Sequence, residues 1–438
     1  MLFSPWGDVV LKVYRVGESS FTYWLDRLER RGEVLESRVM EEVRDIIEDV
    51  KSRGDEALLE YTRKWDSFQV DSPRDLIIDR ARMEKAFTSL PGDLRFALEK
   101  ASDRIRRFHE AQKENSWFLC EGNGTILGQK VTPLERVGAY VPGGRASYPS
   151  SLLMNVVPAR VAGVEEVLVC SPTPGGEVNE ALLGAAYLAQ VDRIYRVGGA
   201  QAVAAMAYGT GLIPSVDKIV GPGNIYVATA KKMVFGKVDI DMVAGPSEIL
   251  VLADDTAPPS YVAADLLSQA EHDPLASAIL ITPSQTLAEE VAKEVESLLK
   301  GLATSTTARD SLANYGGAVV CSTLEEGIDL VNKLAPEHLE ILTRDPWEVL
   351  PLVNHAGAIF LGVYSPEPMG DYMAGPNHVL PTGGRARFSS PLGTRDFVKY
   401  SSVVSLSREA FMELKEGVVT LAQWEGLPAH ARAVKIRE

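Results

Sequence analysis

The sequence has little cysteine. Its three residues, Cys120, Cys170 and Cys321, are odd in number and far apart in a chain of 438. Such a set supports neither a disulfide framework nor a paired-thiolate zinc site, and a reducing cytoplasm is the expected compartment. No apolar run approaches the ~20 residues that a membrane helix needs, so no membrane partner is expected. The opening stretch, MLFSPWGDVVLKVY, carries no basic segment and is interrupted by Pro5, Gly7 and Asp8, so no signal peptide is expected. Positive charge is scarce: 45 Lys and Arg against 60 Asp and Glu leave a formal charge of −15. A nucleic-acid partner is not expected, because phosphate contacts need clustered cations. A local cluster at Arg104, Arg106 and Arg107 sits on a helical segment whose other face is apolar, where solvent is the default partner. Histidine is rare too, with six residues, so each can be weighed individually.

What is present is ordinary for a globular protein: 45% hydrophobic and 24% charged residues, in a length that suits two or three compact units. Apolar residues at Val39, Val43, Ile46, Ile47 and Val50 recur at helical steps. A second stripe runs through Leu94, Leu98, Ala101, Ile105 and Phe108, and His109 after it is expected to face solvent. From about Val137 short apolar runs alternate with helical segments, the pattern of parallel sheets covered by helices. Two α/β units are expected, joined near Asp241. From Ser365 to Gly393 the chain is rich in Gly, Pro and Ser and reads as an aperiodic functional loop.

Candidate chemistry begins at the end of a helix opened by Pro258 and Pro259. Gln269 and His272, three residues apart, share one face of its last turn. An amide oxygen and a neutral imidazole there suit a divalent cation, although a water-facing polar turn explains the same spacing. The Gly198–Gly199 and Gly221–Pro222–Gly223–Asn224 turns follow apolar strands and open helices, a junction that presents N–H groups to an anion. Neither is a full dinucleotide fingerprint, and tight packing turns remain an equal reading. Tyr140 precedes a further Gly-containing turn, Val141 to Gly144. Glu337 and His338 follow Pro336 at a helix–strand junction; a carboxylate beside an imidazole supplies two bases of different strength. Asp371 and His378 lie in the aperiodic loop, where Asp371 suits an oxygen and nitrogen metal set with Gln269 and His272. His430 lies in a short tail.

These segments together resemble the histidinol dehydrogenase family from about residue 20 onward. The stretch IDMVAGPSEILVLADDTAPPSYVAADLLSQAEH carries the likeness most specifically, with GAYVPGG, VGGAQAVAAMAYGT, VDKIVGPGN, LAPEHLEI, GDYMAGPNHVLPT and EGLPAH in family order. The resemblance implies a zinc-dependent enzyme that oxidises L-histidinol through the aldehyde to L-histidine, using NAD twice. It implies Gln269, His272, Asp371 and His430 as metal ligands, with His430 supplied by the partner in a domain-swapped homodimer. Glu337 would activate water and His338 would act as acid and base. Ser247, His378 and Glu425 would hold substrate together with the metal ligands, and Tyr140, Gln201 and Asn224 would contact NAD. The implied fold is α/β, with two incomplete Rossmann-like parallel-sheet domains and small N- and C-terminal helical extensions. Its expected division is residues 1–35, then 36–139 with 249–390 carrying metal and catalytic residues, then 140–248 on the NAD side, and a swapped tail at 391–438. Relatives of this fold oxidise other hydroxyl compounds, including sulfonated diols; a metal-dependent hydrolase is the alternative from another class. Arg145 finds no place in this scheme.

Overall fold

The computed structural model describes residues 10–31, 36–143, 148–243 and 245–437, so Gly144 and Arg145 lie outside the described residues. Strands are numbered in chain order. The first sheet runs β1 (Val13–Arg15), β12 (Gly317–Val320), β11 (Ser277–Thr282), β10 (Glu248–Ala253), β13 (His338–Leu342), β14 (Ala358–Leu361), with every pairing parallel. The second runs β2 (Ile77–Ile78), β7 (Arg193–Tyr195), β6 (Glu166–Cys170), β5 (Arg136–Tyr140), β8 (Lys218–Val220), β9 (Asp239–Ile240). Only β2 is antiparallel to its neighbour there. A third, antiparallel sheet joins β15 (Val398–Ser405), β4 (Ile126–Pro133) and β3 (Trp117–Cys120). The fold is α/β.

The apolar runs of the sequence explain the two large sheets. In β10, Ile249, Val251 and Ala253 enter one core, while Leu250 and Leu252 enter the core on the opposite face. Alternate side chains point to opposite faces, so a strand covered on both sides must be apolar throughout. β6 follows the same rule, with Val167 and Val169 in one core and Leu168 and Cys170 in the other.

The sheets divide the chain differently from the expected grouping of 36–139 with 249–390. Val39, Val43, Ile46, Ile47 and Val50 of the helix Glu36–Arg53 share a core with Val203 and Val227, on helices beside the second sheet. The helix Gly92–Glu110 shares a core with Pro149–Ala162, and β5 lies inside the second sheet. The helices Glu36–Arg53 and Gly92–Glu110 therefore bury their apolar faces against the second sheet, whereas β3 and β4 of the same range belong to the third. The N-terminal stretch is not purely helical either. β1 is an edge strand of the first sheet, and Trp24 on the helix Ser19–Glu29 donates its indole N–H to the Gly316 carbonyl at 3.1 Å. The C-terminal segment contributes β15 as well as the helices Arg408–Trp424 and Pro428–Lys435. His109 is buried, not solvent-facing: its Nδ1 lies 2.7 Å from the Ile105 carbonyl one helical turn back.

Two edges matter for function. The chain leaves β9 at Ile240 and enters β10 at Glu248, so the carboxyl edge of the second sheet leads directly to the amino edge of the first. Helix Pro259–Ala270 runs back from the far end of β10 and ends at that same amino edge. Among the described residues no helix is long and apolar enough to cross a membrane.

Candidate active site

The helix Leu324–Leu334 ends on Ala335, which adopts a left-handed conformation (φ 50°, ψ 62°), and Pro336 forbids any continuation. This bend delivers Glu337 and His338 to the start of β13, where both are buried. The His338 Nδ1 lies 2.9 Å from the Glu248 carbonyl. A carbonyl only accepts, so Nδ1 carries the proton and the Nε2 lone pair is left free. Nε2 is buried and has no hydrogen-bond partner among the described residues. It lies 3.9 Å from both Glu367 Oε1 and Asp371 Oδ1. Beside it, Glu337 Oε2 accepts the Glu248 N–H at 2.8 Å.

Glu367 and Asp371 come from the stretch read as an aperiodic loop. It contains a helical turn, Glu367–Met369, continued by a wider turn, Gly370–Ala374. Gly370 permits the close seat: a Cβ there would stand 2.5 Å from the Phe360 ring. Glu367 is the site residue that sequence reasoning missed. Its signal was present, a carboxylate one helical turn before Asp371, but the prolines on either side of it disguised the helix. One potential ligand atom from each of His338, Glu367 and Asp371 lies within 4.8 Å of the others. His378 joins them, its Nδ1 3.0 Å from the Asp371 carbonyl.

The last turn of helix Pro259–Ala270 borders this group. Ser268 donates its hydroxyl to Glu367 Oε2 at 3.4 Å, and the exposed His272 follows just beyond the helix end. Gln269 is 1% exposed, yet neither its amide oxygen nor its amide nitrogen has a partner among the described residues. An unsatisfied buried amide costs about 1–3 kcal/mol per group, so an acceptor of this kind calls for a ligand. A divalent cation fits the donor set: amide oxygen, imidazole and carboxylates, with no thiolate. The group of His338, Glu367 and Asp371 differs from the expected ligand set Gln269, His272, Asp371 and His430 in its first two members and shares Asp371.

Burial governs the electrostatics. It pushes His338 down to about 4, with the neighbouring histidines acting in the same direction, and His378 also down to about 4. Both imidazoles are therefore neutral bases at neutral pH. Burial first, and Glu248 second, raise Glu337 well above the usual carboxyl range. Burial and Asp371 raise Glu367 to about 8, and burial raises Asp371 to about 6, as expected for two carboxyls that share a proton.

A family model described as histidinol dehydrogenase matches residues 29–438. The chain belongs to the histidinol dehydrogenase family. A Geobacter sulfurreducens protein named histidinol dehydrogenase is 56% identical over 407 residues, 93% of this chain and 95% of the relative. A namesake from Aquifex aeolicus is 54% identical over 414 residues, 94% and 96% of the two chains. The crystal structure of histidinol dehydrogenase from Elizabethkingia anophelis superposes with a TM-score of 0.92 at 34% identity, covering 98% of each chain. Membership makes this chain an enzyme of the oxidoreductase class.

The remaining family-like residues fall in three places. Ser247 precedes Glu248 at the amino edge of the first sheet, and its carbonyl accepts the Ser277 N–H at 3.0 Å. Tyr140, Gln201 and Asn224 gather at the carboxyl edge of the second sheet. Strand order reverses there, β6 and β7 lying to one side of β5 and β8 and β9 to the other, and such a switch point opens a crevice. Tyr140 accepts the Gly199 N–H on its hydroxyl at 3.1 Å, and the Gln201 Oε1 is buried without a partner among the described residues. Asn224 caps helix Ile225–Val234, accepting from the Tyr226 and Val227 N–H groups. Gly221 (φ +105°) is required in that turn, since a Cβ would overlap the Tyr140 carbonyl at 2.1 Å. Glu425 and His430 stand apart: both are exposed, on the C-terminal helices, and neither belongs to the buried group.

Proposed function

We propose that this chain catalyses the NAD-linked, zinc-dependent oxidation of L-histidinol through the aldehyde to L-histidine, the closing steps of histidine biosynthesis. The observation that carries the reading is His338, a neutral imidazole whose Nδ1 is fixed by a carbonyl and whose Nε2 is aimed at a carboxylate group beside Glu337. The relatives named above supply the substrate class, because their printed name is histidinol dehydrogenase.

Gln269, His272 and Asp371, with His430 of the partner subunit, hold zinc in this reading. Zinc held there would supply a Lewis-acid anchor for the substrate's nitrogen atoms, which would keep the carbinol carbon in place. Ser247, His378 and Glu425 hold the rest of the substrate, Glu425 also reaching across from the partner chain. His338 Nε2 takes the hydroxyl proton as hydride leaves the carbinol carbon for the nicotinamide. Glu337 then removes a proton from the water that adds to the aldehyde. A second hydride leaves the hydrate for a second NAD, and His338 again accepts the hydroxyl proton. Tyr140, Gln201 and Asn224 contact NAD at the second sheet's carboxyl edge, and the short link from β9 to β10 lets cofactor and substrate sites face each other.

Two copies per assembly follow from Glu425 and His430, which this chain does not bring to its own pocket. The helix that leads to them exposes Met412, Leu414, Val418, Leu421 and Trp424, an apolar surface that suits a second copy. NAD as oxidant and three unpaired cysteines agree with a cytoplasmic enzyme.

The test mixes zinc-loaded protein with L-histidinol and NAD and follows NADH. Two NADH per histidinol consumed, with histidine as product, are expected. No NADH from histidinol, or hydrolytic turnover without NAD, overturns the reading.

A further inference from the structure

Glu248 holds both members of the catalytic pair with its backbone. Its N–H donates to Glu337 Oε2 at 2.8 Å, and its carbonyl accepts from His338 Nδ1 at 2.9 Å. Any movement of the backbone at this residue displaces the water-activating carboxylate and the imidazole together. It also sits at the first residue of β10, where a strand end frays unless something outside the ladder restrains it.

The Glu248 side chain supplies that restraint. Its Oε1 accepts from Arg31 Nη2 at 2.5 Å and from the Gly383 N–H at 3.1 Å, and its Oε2 accepts from the Glu337 N–H at 3.3 Å. Glu337 and Glu248 therefore exchange backbone N–H bonds to each other's carboxylates, a reciprocal clasp. Such a clasp brings two buried carboxylates together and needs a cation on its outer side. Arg31 is that cation: its side chain is 4% exposed, lies 5.8 Å from the Tyr315 ring centre and also donates to the Pro246 carbonyl at 3.2 Å. Arg31 thus grips the chain on both sides of Ser247, from the end of the first helix and outside the pocket.

We infer that Arg31 and Glu248 form a brace that positions Glu337 and His338 for both half-reactions without touching substrate. The assay half of the test rests on the histidinol reading above; the spectroscopic half does not. Zinc-loaded protein with 15N-histidine is compared as parent, Arg31→Met, Glu248→Gln and Glu248→Asp. Gln keeps the length of Glu and one accepting oxygen for Arg31 and Gly383, and gives up the charge and the 3.3 Å bond from the Glu337 N–H, whereas Asp keeps the charge and loses the reach.

In the parent and in Glu248→Gln, His338 shows the Nδ1–H tautomer. In Arg31→Met and Glu248→Asp that signature is lost to a mixture. On histidinol and NAD, kcat falls by roughly 10–100-fold in Arg31→Met and Glu248→Asp, with KM for both ligands moving less than about 2-fold. Glu248→Gln stays within about 5-fold of the parent. Should Arg31→Met fail to fold, the Gln and Asp variants carry the comparison. An unchanged tautomer in Glu248→Asp, or in Arg31→Met where it folds, a loss seen only in KM, or Asp outperforming Gln overturns the brace. A parent chain silent toward histidinol counts against the proposed function, and the tautomer comparison then decides the brace.

Discussion

Glu337 and His338 are neighbours in sequence that burial drives to opposite protonation behaviour. The imidazole is pushed down to about 4 and stays a free base, while the carboxyl is raised well above its usual range and holds its proton more tightly. Two groups set apart in this way suit two different proton transfers in one pocket. Glu337→Gln tests the division, because Gln keeps an acceptor for the Glu248 N–H and removes the base. Oxidation of the aldehyde is expected to slow by roughly 10²–10⁴-fold, with the alcohol step largely spared. Single-turnover assays started from histidinol and from the aldehyde read the two steps separately, and equal losses in both contradict the role of Glu337. At this scale the sequence was informative where a residue's meaning is local, as with the Pro-Glu-His junction. It was silent where meaning depends on partners. Arg31 carries no motif, Glu248 lies in the family-like stretch without a sign of what it holds, and Glu367 shows its role only once a helical turn brings it over Asp371.

Between elements, the contact that decides most is the one joining helix Pro259–Ala270 to β13. Residues 338, 340 and 342 share one face of β13, which places Glu340 beneath the helix. Glu340 is fully buried, pairs with Asp265, and accepts the Glu367 N–H on Oε1 at 2.6 Å. Burial raises Asp265 to about 6, and burial with Asp265 raises Glu340 well above the carboxyl range. A raised acid binds its proton more tightly in the folded chain than in the unfolded one. Its contribution to stability is therefore present at low pH and is lost as pH rises from about 4 through the folded value. Asp265→Asn keeps a hydrogen bond to Glu340 and removes one charge. Its Tm is expected to match the parent near pH 4.5 and to exceed it by roughly a few degrees at pH 8. A gap that shrinks toward pH 8 contradicts the pairing. Elements of this kind were readable when their burial was uniform, as in β10, whose unbroken apolar run had one reading. β1, β2 and β9 have two or three residues each, too few to show a period. β3 is exposed at every position, so it carries no inside–outside alternation to detect.

For the whole molecule, the proposed sharing of the site between chains is an energetic question about two exposed residues. Glu425 and His430 are polar, exposed and flanked by apolar side chains such as Trp424 and Leu427, an arrangement that wastes apolar surface in a lone chain. A second copy seated there, as proposed above, would remove that surface from water and carry the two polar residues into a neighbouring pocket. The grouping of residues 36–139 escaped sequence reading for a related reason: a helical stripe tells that a helix is buried, and nothing in it says against which sheet. Shared sites make a sharp numerical prediction. His272→Ala and His430→Ala chains are each expected to lack activity and to lose zinc. In a mixed dimer one pocket receives His272 from one chain and His430 from the other, both intact, while the second pocket lacks both. Equal mixing with free exchange makes half the dimers mixed, so about a quarter of the parental activity and zinc content is expected to return. If His430 served its own chain, a mixed dimer would contain no complete pocket, and proven exchange without recovery of activity would sink the shared site.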